Sequence, residues 1–315
     1  MAPASSSIEG KTVLVTGGAG FIGSHLVEEL MKRGCDVRVL DDFSSGKPEN
    51  LTSLKKDAII KGDVTDIAQV EMTMKGVDIV FHEAAQTSVQ RSIREPVFTN
   101  QANVIGTLHV LMAARKAGVK KIVLASSAAV YGNVGESPCR EEMQPSPLSP
   151  YAASKASAEA YCMMYHHLYG MATVCLRYFN VYGPRQDPAS EYASVIPKFQ
   201  SCFAASRRPT VFGDGKQSRD FVFISDVVKA NMLAAERAVS GECINIASGT
   251  RVTVSELVKA FQGVTGKHLG PEYAPSRPGD IRHSVADIRK AKRLLGFSPA
   301  VSLYDGLRQT MKNAS

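Results

Sequence analysis

Two hydrophobic periodicities alternate along the chain. Short, nearly continuous apolar runs at residues 12–16, 37–40, 58–60, 78–81, 121–125 and 172–176 predict β-strands. Between them, apolar residues recur at helical spacing. Ile22, Leu26 and Leu30 mark a helix over 21–33, stopped by Gly34. Longer helices are predicted over 96–117, ended by Gly118, and over 150–169, ended by Gly170. Strand–helix alternation implies parallel pairing, and strands without polar alternation imply helices on both faces of the sheet. The expected fold class is therefore α/β, a doubly wound parallel sheet.

The pattern changes near Arg177. Elements shorten, and Gly/Pro-rich turns appear at 182–184 and 212–215. Residues 1–180 read as a sheet domain, to which a helix and strand in 225–247 return. Residues 181–224 and 248–315 read as a smaller C-terminal substrate lobe. The first nine residues read as a frayed tail.

Composition narrows the classes. The chain has 315 residues, 44% hydrophobic and 21% charged, ordinary values for a globular protein. The net charge of +7 suits an anionic ligand or a merely basic surface. The densest basic run, Arg289 to Arg293, looks like a polar helix face and gives no basis for nucleic-acid binding. The six cysteines form no CxxC pair, which favours a reducing, cytoplasmic setting. The first residues lack the apolar core of a leader peptide, and no run is long and apolar enough to span a membrane. His166-His167 is too few ligands for a metal, and none is expected. His82, closing the fourth strand, reads as structural.

Gly17-Gly18-Ala19-Gly20-Phe21-Ile22-Gly23 joins the first strand to the first helix. Gly17 permits a tight turn, Gly20 lets backbone approach a pyrophosphate, and Gly23 lets helix and strand pack closely. The helix N-terminus then offers amide donors to phosphate. Asp41, at the end of the second strand, suits ribose hydroxyls and repels a 2′-phosphate, which points to NAD rather than NADP. Asp63, after the third strand, suits either an adenine amine or a helix N-cap.

Tyr151 and Lys155 stand at i and i+4 on one helical face. An ammonium near a phenol lowers its pKa and equips it for proton transfer near neutral pH. Alone, such a pair is also a common feature of exposed helices. Ser127, at the C-terminal end of the fifth strand where α/β sheets bind ligands, could share a substrate oxygen with Tyr151, or simply cap a turn.

With His82-Glu83-Ala84-Ala85, Ser127-Ala128-Ala129-Val130-Tyr131-Gly132 and Arg177-Tyr178-Phe179-Asn180, these motifs resemble the extended short-chain dehydrogenase/reductase family and, within it, nucleotide-sugar 4-epimerases. The resemblance covers roughly residues 10–312. It implies a Rossmann sheet, bound NAD and an isomerase acting on UDP-hexoses. Tyr151 would be the base, Lys155 would bind the nicotinamide ribose, Ser127 would orient the 4-hydroxyl, and Asn103 would support the cluster. Hydride would leave C4, the 4-keto sugar would rotate, and hydride would return to its other face. Phe21, Ile22, Asp42, Val64, Ala84, Ala85 and Tyr178 would also line the cofactor.

The resemblance further places Asn180, Gln186, Val195, Phe212, Arg219, Arg277, Asp280 and Ser284 around a UDP-sugar, Arg219 and Arg277 clamping the diphosphate. Phe212 suits a uracil pocket or a plain core. Related 4,6-dehydratases carry an acid–base pair where this chain has Ala128-Ala129. Small Ser284, with Asn180 and Gln186, leans toward UDP-GlcNAc/UDP-GalNAc, with UDP-Glc/UDP-Gal also admitted. Arg185 keeps UDP-glucuronate open. A non-catalytic NAD-binding sensor is the alternative of another class, although such relatives usually lose Tyr or Lys. A homodimer is implied, through a four-helix bundle formed by the 96–117 and 151–169 helices.

Overall fold

The computed structural model describes residues 7–187, 194–276 and 281–312. The N-terminal half alternates strand and helix: β1 (Thr12–Thr16), α1 (Phe21–Lys32), β2 (Asp36–Asp41), β3 (Ile59–Lys61), α2 (Ile67–Thr73) and β4 (Ile79–His82). Then come α3 (Val89–Arg94), α4 (Pro96–Asn100), α5 (Gly106–Ala117), β5 (Lys121–Ser127), α6 (Pro150–Tyr169) and β6 (Ala172–Tyr178). Seven strands form one sheet in the order β3-β2-β1-β4-β5-β6-β11, where β11 is Glu242–Ile246, and every pairing is parallel.

Both faces of this sheet are buried, as continuous apolar strands require. Val13 and Val15 of β1 join one core layer with Leu26, Val27 and Leu30 of α1. Leu14, between them, points to the other layer with Val110 and Leu111 of α5 and Cys162 of α6. Each such buried side chain contributes about 1.5–3 kcal/mol relative to exposure.

The helix expected over 96–117 is not uniform. A π-helical segment, Gln101–Ile105, separates α4 from α5. Such a wide turn shifts the helical phase, and here it carries Asn103, almost completely buried. The expected N-terminal tail also needs correction. Ile8 is 2% exposed and packs into the core, and its carbonyl accepts a hydrogen bond from the Cys35 thiol.

Beyond β6 the chain builds short pairs: β7 (Asn180–Tyr182) with β10 (Phe221–Phe223), β8 (Thr210–Phe212) with β13 (Glu272–Ala274), and β9 (Ser218–Arg219) with β12 (Val252–Thr253). α7 (Val195–Ala204), α9 (Val254–Thr265) and α11 (Leu303–Lys312) pack around them, with Phe203 stacked on Phe261 at 5.2 Å. α8 (Ile224–Glu236) leads back to β11, and α10 (Arg289–Leu295) follows β13. Among the described residues, no helix is long and apolar enough to cross a membrane. His166 is partly buried, its ring bonding Met171 O and Ser240 Oγ, while His167 is exposed.

Candidate active site

The loop between β1 and α1 opens onto the C-terminal edge of the sheet. Gly17 has φ +69°, and a Cβ there would lie 2.6 Å from Ala84 N. A Cβ at Gly23 would meet Gly17 O at 2.2 Å, so only glycine lets the helix start approach the turn. At Gly20 the nearest atom to such a Cβ is Gly17 O at 3.2 Å, a tight contact but far less severe than at Gly17 or Gly23. Gly20 is the N-cap of α1, and no side chain caps that end. The first-turn amides of Phe21 and Ile22 therefore face a cradle suited to phosphate.

Asp41 lies beside this loop, its Oδ2 accepting from Ala19 N and its Oδ1 from Phe43 N, both at 2.8 Å. Burial raises its pKa, and these two bonds oppose the rise. The neighbouring Asp42 turns to Ser44. Asp63 accepts from Thr65 N, while Asp66 caps α2, so the N-cap alternative for Asp63 does not hold. Val64 packs against Gly106, where a Cβ would crowd it at 2.6 Å. The open helix end, the glycine-only approach and the carboxylate beyond it fit a dinucleotide.

The second group gathers around β5 and α6. Ser149 caps α6 through Ala152 N, and Pro150 occupies its first turn. This start places Tyr151 and Lys155 on the helix face toward β5. Lys155 Nζ donates to Ala125 O at 2.8 Å. The Ser127 hydroxyl lies within hydrogen-bonding reach of the Tyr151 phenol and also accepts from Ala129 N. Burial pushes the phenol above its usual pKa, with the Ser127 bond opposing. The expected lowering by Lys155 is not seen, because its ammonium is directed at the Ala125 carbonyl. Burial lowers Lys155 to about 8, with Glu83 and Glu159 holding it up.

A layer of buried polar groups backs these residues. Asn103 Nδ2 donates to Gln86 O and Ser154 Oγ, both at 2.9 Å, and its Oδ1 accepts from Gln86 N. His82 sits between Thr16 Oγ1 (2.6 Å) and Thr107 Oγ1 (3.0 Å), and burial drives its pKa down to about 3. The expected structural role of His82 matches this placement. The hydroxyl of Tyr178, a residue expected along the cofactor, bonds Glu83 Oε1 (2.9 Å) and Asn231 Nδ2 (2.8 Å). Ala84 donates its amide to Thr16 Oγ1, and Ala85 follows in the same partly exposed stretch.

The motifs assign no role to Glu83, Glu159 or Asn231. Glu159 was discoverable, since it repeats the four-residue spacing of Tyr151 and Lys155 on one helix. Glu83 carried a weaker signal, a lone charge directly after an apolar strand. Nothing in the sequence separated Asn231 from other polar residues of a helix.

Backbone bonds link some of the residues expected around the substrate. Ser127 is register partner to Tyr178, two residues before Asn180. Asn180 N donates to Asp220 O beside Arg219, and Ser284 N donates to Ser218 O. Arg219 Nη1 donates to Ser218 O. Phe212 is joined through its carbonyl to Gln217 Nε2 at 2.6 Å. Gln186 Nε2 donates to Val181 O and to Ser194 Oγ, next to Val195, and its Oε1 is buried with no partner among the described residues. Arg185 is held by Ser24 and Glu28 of α1. Arg277 and Asp280 lie outside the described residues.

The sequence profile of the NAD dependent epimerase/dehydratase family matches residues 13–247. The chain is 42% identical to a UDP-glucose 4-epimerase of Mycolicibacterium smegmatis over 304 residues, 95% of this chain and 97% of that one. Its structure resembles the UDP-N-acetylglucosamine 4-epimerase of Methanobrevibacter ruminantium solved with UDP-N-acetylmuramic acid, with TM-score 0.93, 42% identity, and coverage of 97% and 98% of the two chains. It also resembles the Thermus thermophilus UDP-glucose 4-epimerase solved with NAD, with TM-score 0.87, 40% identity, and coverage of 96% and 98%.

Proposed function

Because the chain belongs to the NAD dependent epimerase/dehydratase family, we propose that it is an NAD-dependent 4-epimerase of UDP-hexoses. The observation that carries this is the meeting of Ser127, Tyr151 and Lys155 at the end of β5, beside the open N-terminus of α1. When bound, the dinucleotide supplies reversible hydride chemistry at C4 of the sugar. Tyr151 exchanges the O4 proton, Ser127 orients O4, and Lys155 provides positive charge one helical turn away. Asp41 and the first-turn amides of α1 anchor the cofactor. Asp63 and Val64 border its adenine end.

Ala128 and Ala129 occupy the turn after Ser127. Neither can act as acid or base, so elimination of water from the sugar lacks its tools, whereas epimerisation needs only the groups present. Asn180, Gln186, Val195, Phe212, Arg219 and Ser284 form the sugar-nucleotide side, with Arg277 and Asp280 assigned to the same ligand. Small Ser284 and Gln186 Oε1, which has no partner among the described residues and can accept from an amide N–H, support UDP-GlcNAc/UDP-GalNAc as the preferred pair, with UDP-Glc/UDP-Gal as a second. The carboxylated-sugar alternative, UDP-glucuronate, rests on Arg185, whose guanidinium also bonds Glu28.

Exposed Val97, Ile105, Met112, Met164 and Leu168 on the α4–α5 and α6 segments support a homodimer formed through those helices. Six free thiols support a cytoplasmic setting.

The test is incubation of purified protein with UDP-GlcNAc and, separately, UDP-Glc, followed by proton NMR of the anomeric region. Appearance of UDP-GalNAc establishes 4-epimerisation and supports the open gate at Ser284. Conversion of UDP-Glc alone keeps the chemistry and removes the gate. No conversion of either sugar overturns the proposal.

A further inference from the structure

Glu83 takes no part in the proton exchange above, yet it is tied to the strand ends that border the site. Its amide is tied to Thr16 O at the end of β1. Its Oε1 accepts from the Tyr178 hydroxyl at the end of β6, and Asn231 of α8 fixes that hydroxyl from behind. The charge of Lys155 reaches it from α6. The residue keeps part of its surface open while its carboxyl is enclosed. Burial pushes the carboxyl pKa up to about 7, and both Tyr178 and Lys155 oppose the rise.

The position of Glu83 follows from the course a dinucleotide must take. Its ribose end belongs at Asp41 and its phosphates at the start of α1. Its nicotinamide end therefore extends toward Ser127, Tyr151 and Lys155, across the C-terminal end of β4, which Glu83 directly follows. The oxidised nicotinamide ring carries a positive charge, and the reduced ring carries none.

We propose that Glu83 biases the cofactor site toward the oxidised dinucleotide over the reduced one. An enclosed carboxylate interacts strongly with nearby charge, because little water screens it. With the oxidised ring, the carboxylate gains a second cation beside Lys155. With the reduced ring it has Lys155 alone. A ligand shifts an equilibrium only by its differential affinity, and here the difference between the two cofactor states is a single charge next to one carboxyl group. The consequence for the proposed reaction is an enzyme that rests in the oxidised state and returns hydride to the 4-keto sugar rather than releasing it. This inference rests on the reading that the cleft holds NAD.

The experiment uses the full chain stripped of cofactor. NAD+ and NADH are titrated separately, by calorimetry, into wild type, Glu83→Gln and Tyr178→Phe. Cofactor released from the proteins as purified is also quantified by chromatography. Glu83→Gln is expected to reduce the preference for NAD+ by about fivefold or more, the lower range of ordinary coupling between sites, and to raise the NADH fraction that co-purifies. Tyr178→Phe keeps the carboxyl group and removes the donor that favours its charged form, so a smaller shift in the same direction is expected. Both cofactors binding with an unchanged ratio in the two variants would overturn the inference and leave the proposed function standing. Wild type binding neither form would overturn both.

Discussion

Arg177 and Glu159 meet through two hydrogen bonds of 2.8 Å, Nε to Oε1 and Nη2 to Oε2, with 4% and 5% of their side chains exposed. Ser126 donates to the same Oε1 at 2.5 Å, and the guanidinium lies 4.7 Å over the Tyr131 ring. The pair ties α6, which carries Tyr151 and Lys155, to β5 and β6, which carry Ser127 and Tyr178. It joins the elements that carry the residues of the proposed proton exchange.

Breaking this pair from one side leaves a buried charge uncompensated. Glu159→Gln is expected to lower unfolding stability by about 3–5 kcal/mol, and a Glu159→Leu/Arg177→Met double variant by less than the sum of its singles. Urea denaturation of wild type, Glu159→Gln, Glu159→Leu, Arg177→Met and the double variant measures this directly. Additive losses would show that the two side chains act independently.

Tyr151→Phe removes the hydroxyl proposed to exchange the proton and little else. Turnover of a UDP-hexose is expected to fall by about a hundredfold to ten-thousandfold, with bound cofactor retained. Kinetics alongside cofactor quantification separate the two effects. Full activity in this variant would remove Tyr151 from the chemistry.

Gly17, Gly20 and Gly23 are not predicted to fail alike. A methyl at Gly23 meets Gly17 O at 2.2 Å, whereas one at Gly20 meets it at 3.2 Å. Gly23→Ala should therefore lose folding stability, by about 1–3 kcal/mol or more. Gly20→Ala should fold almost normally but bind NAD+ more weakly, since its methyl enters the space before α1. Gly17→Ala adds the strain of φ +69° to a backbone contact and should resemble Gly23→Ala. Melting curves with and without NAD+ distinguish these cases.

His82 gives the fold an acid limit. Its folded pKa, about 3, lies below the ordinary 6.5 because burial disfavours the charged ring. Its contribution is present above pH 6.5 and is lost as pH falls toward 3, when the unfolded chain takes a proton that the folded one refuses. The slope approaches roughly 1.4 kcal/mol per pH unit for one group. His82→Gln, able to bond both Thr16 and Thr107, should flatten the decline measured by urea midpoints between pH 6.5 and 5. An unchanged slope would assign the acid limit to other groups.

Much of this was legible in the sequence because the chain obeys local rules where the sheet is built. Continuous apolar strands, Gly-stopped helices and a glycine turn between β1 and α1 each announce themselves within a few residues. The residues behind the site were less visible. Glu83, Asn231 and Tyr178 come from three distant segments, and their hydrogen bonds depend on which strand ends are neighbours. The π-helical turn at Gln101–Ile105 left no periodic trace, since one extra residue in a turn is invisible beside twenty regular ones. The phenol of Tyr151 went the other way from expectation because helix spacing fixes which face Lys155 occupies, but not where its flexible ammonium points.

The position of β11 has a bearing on how the protein is made. This strand lies outermost in the sheet, against β6, yet it is read late from the chain. Until it arrives, the nascent polypeptide presents β6 with one row of peptide groups unclaimed, and a ribosome stalled before residue 242 would hold a sheet with an adhesive flank. Chaperone occupancy during synthesis should therefore persist past the emergence of Tyr151 and Lys155 and end only when β11 has docked.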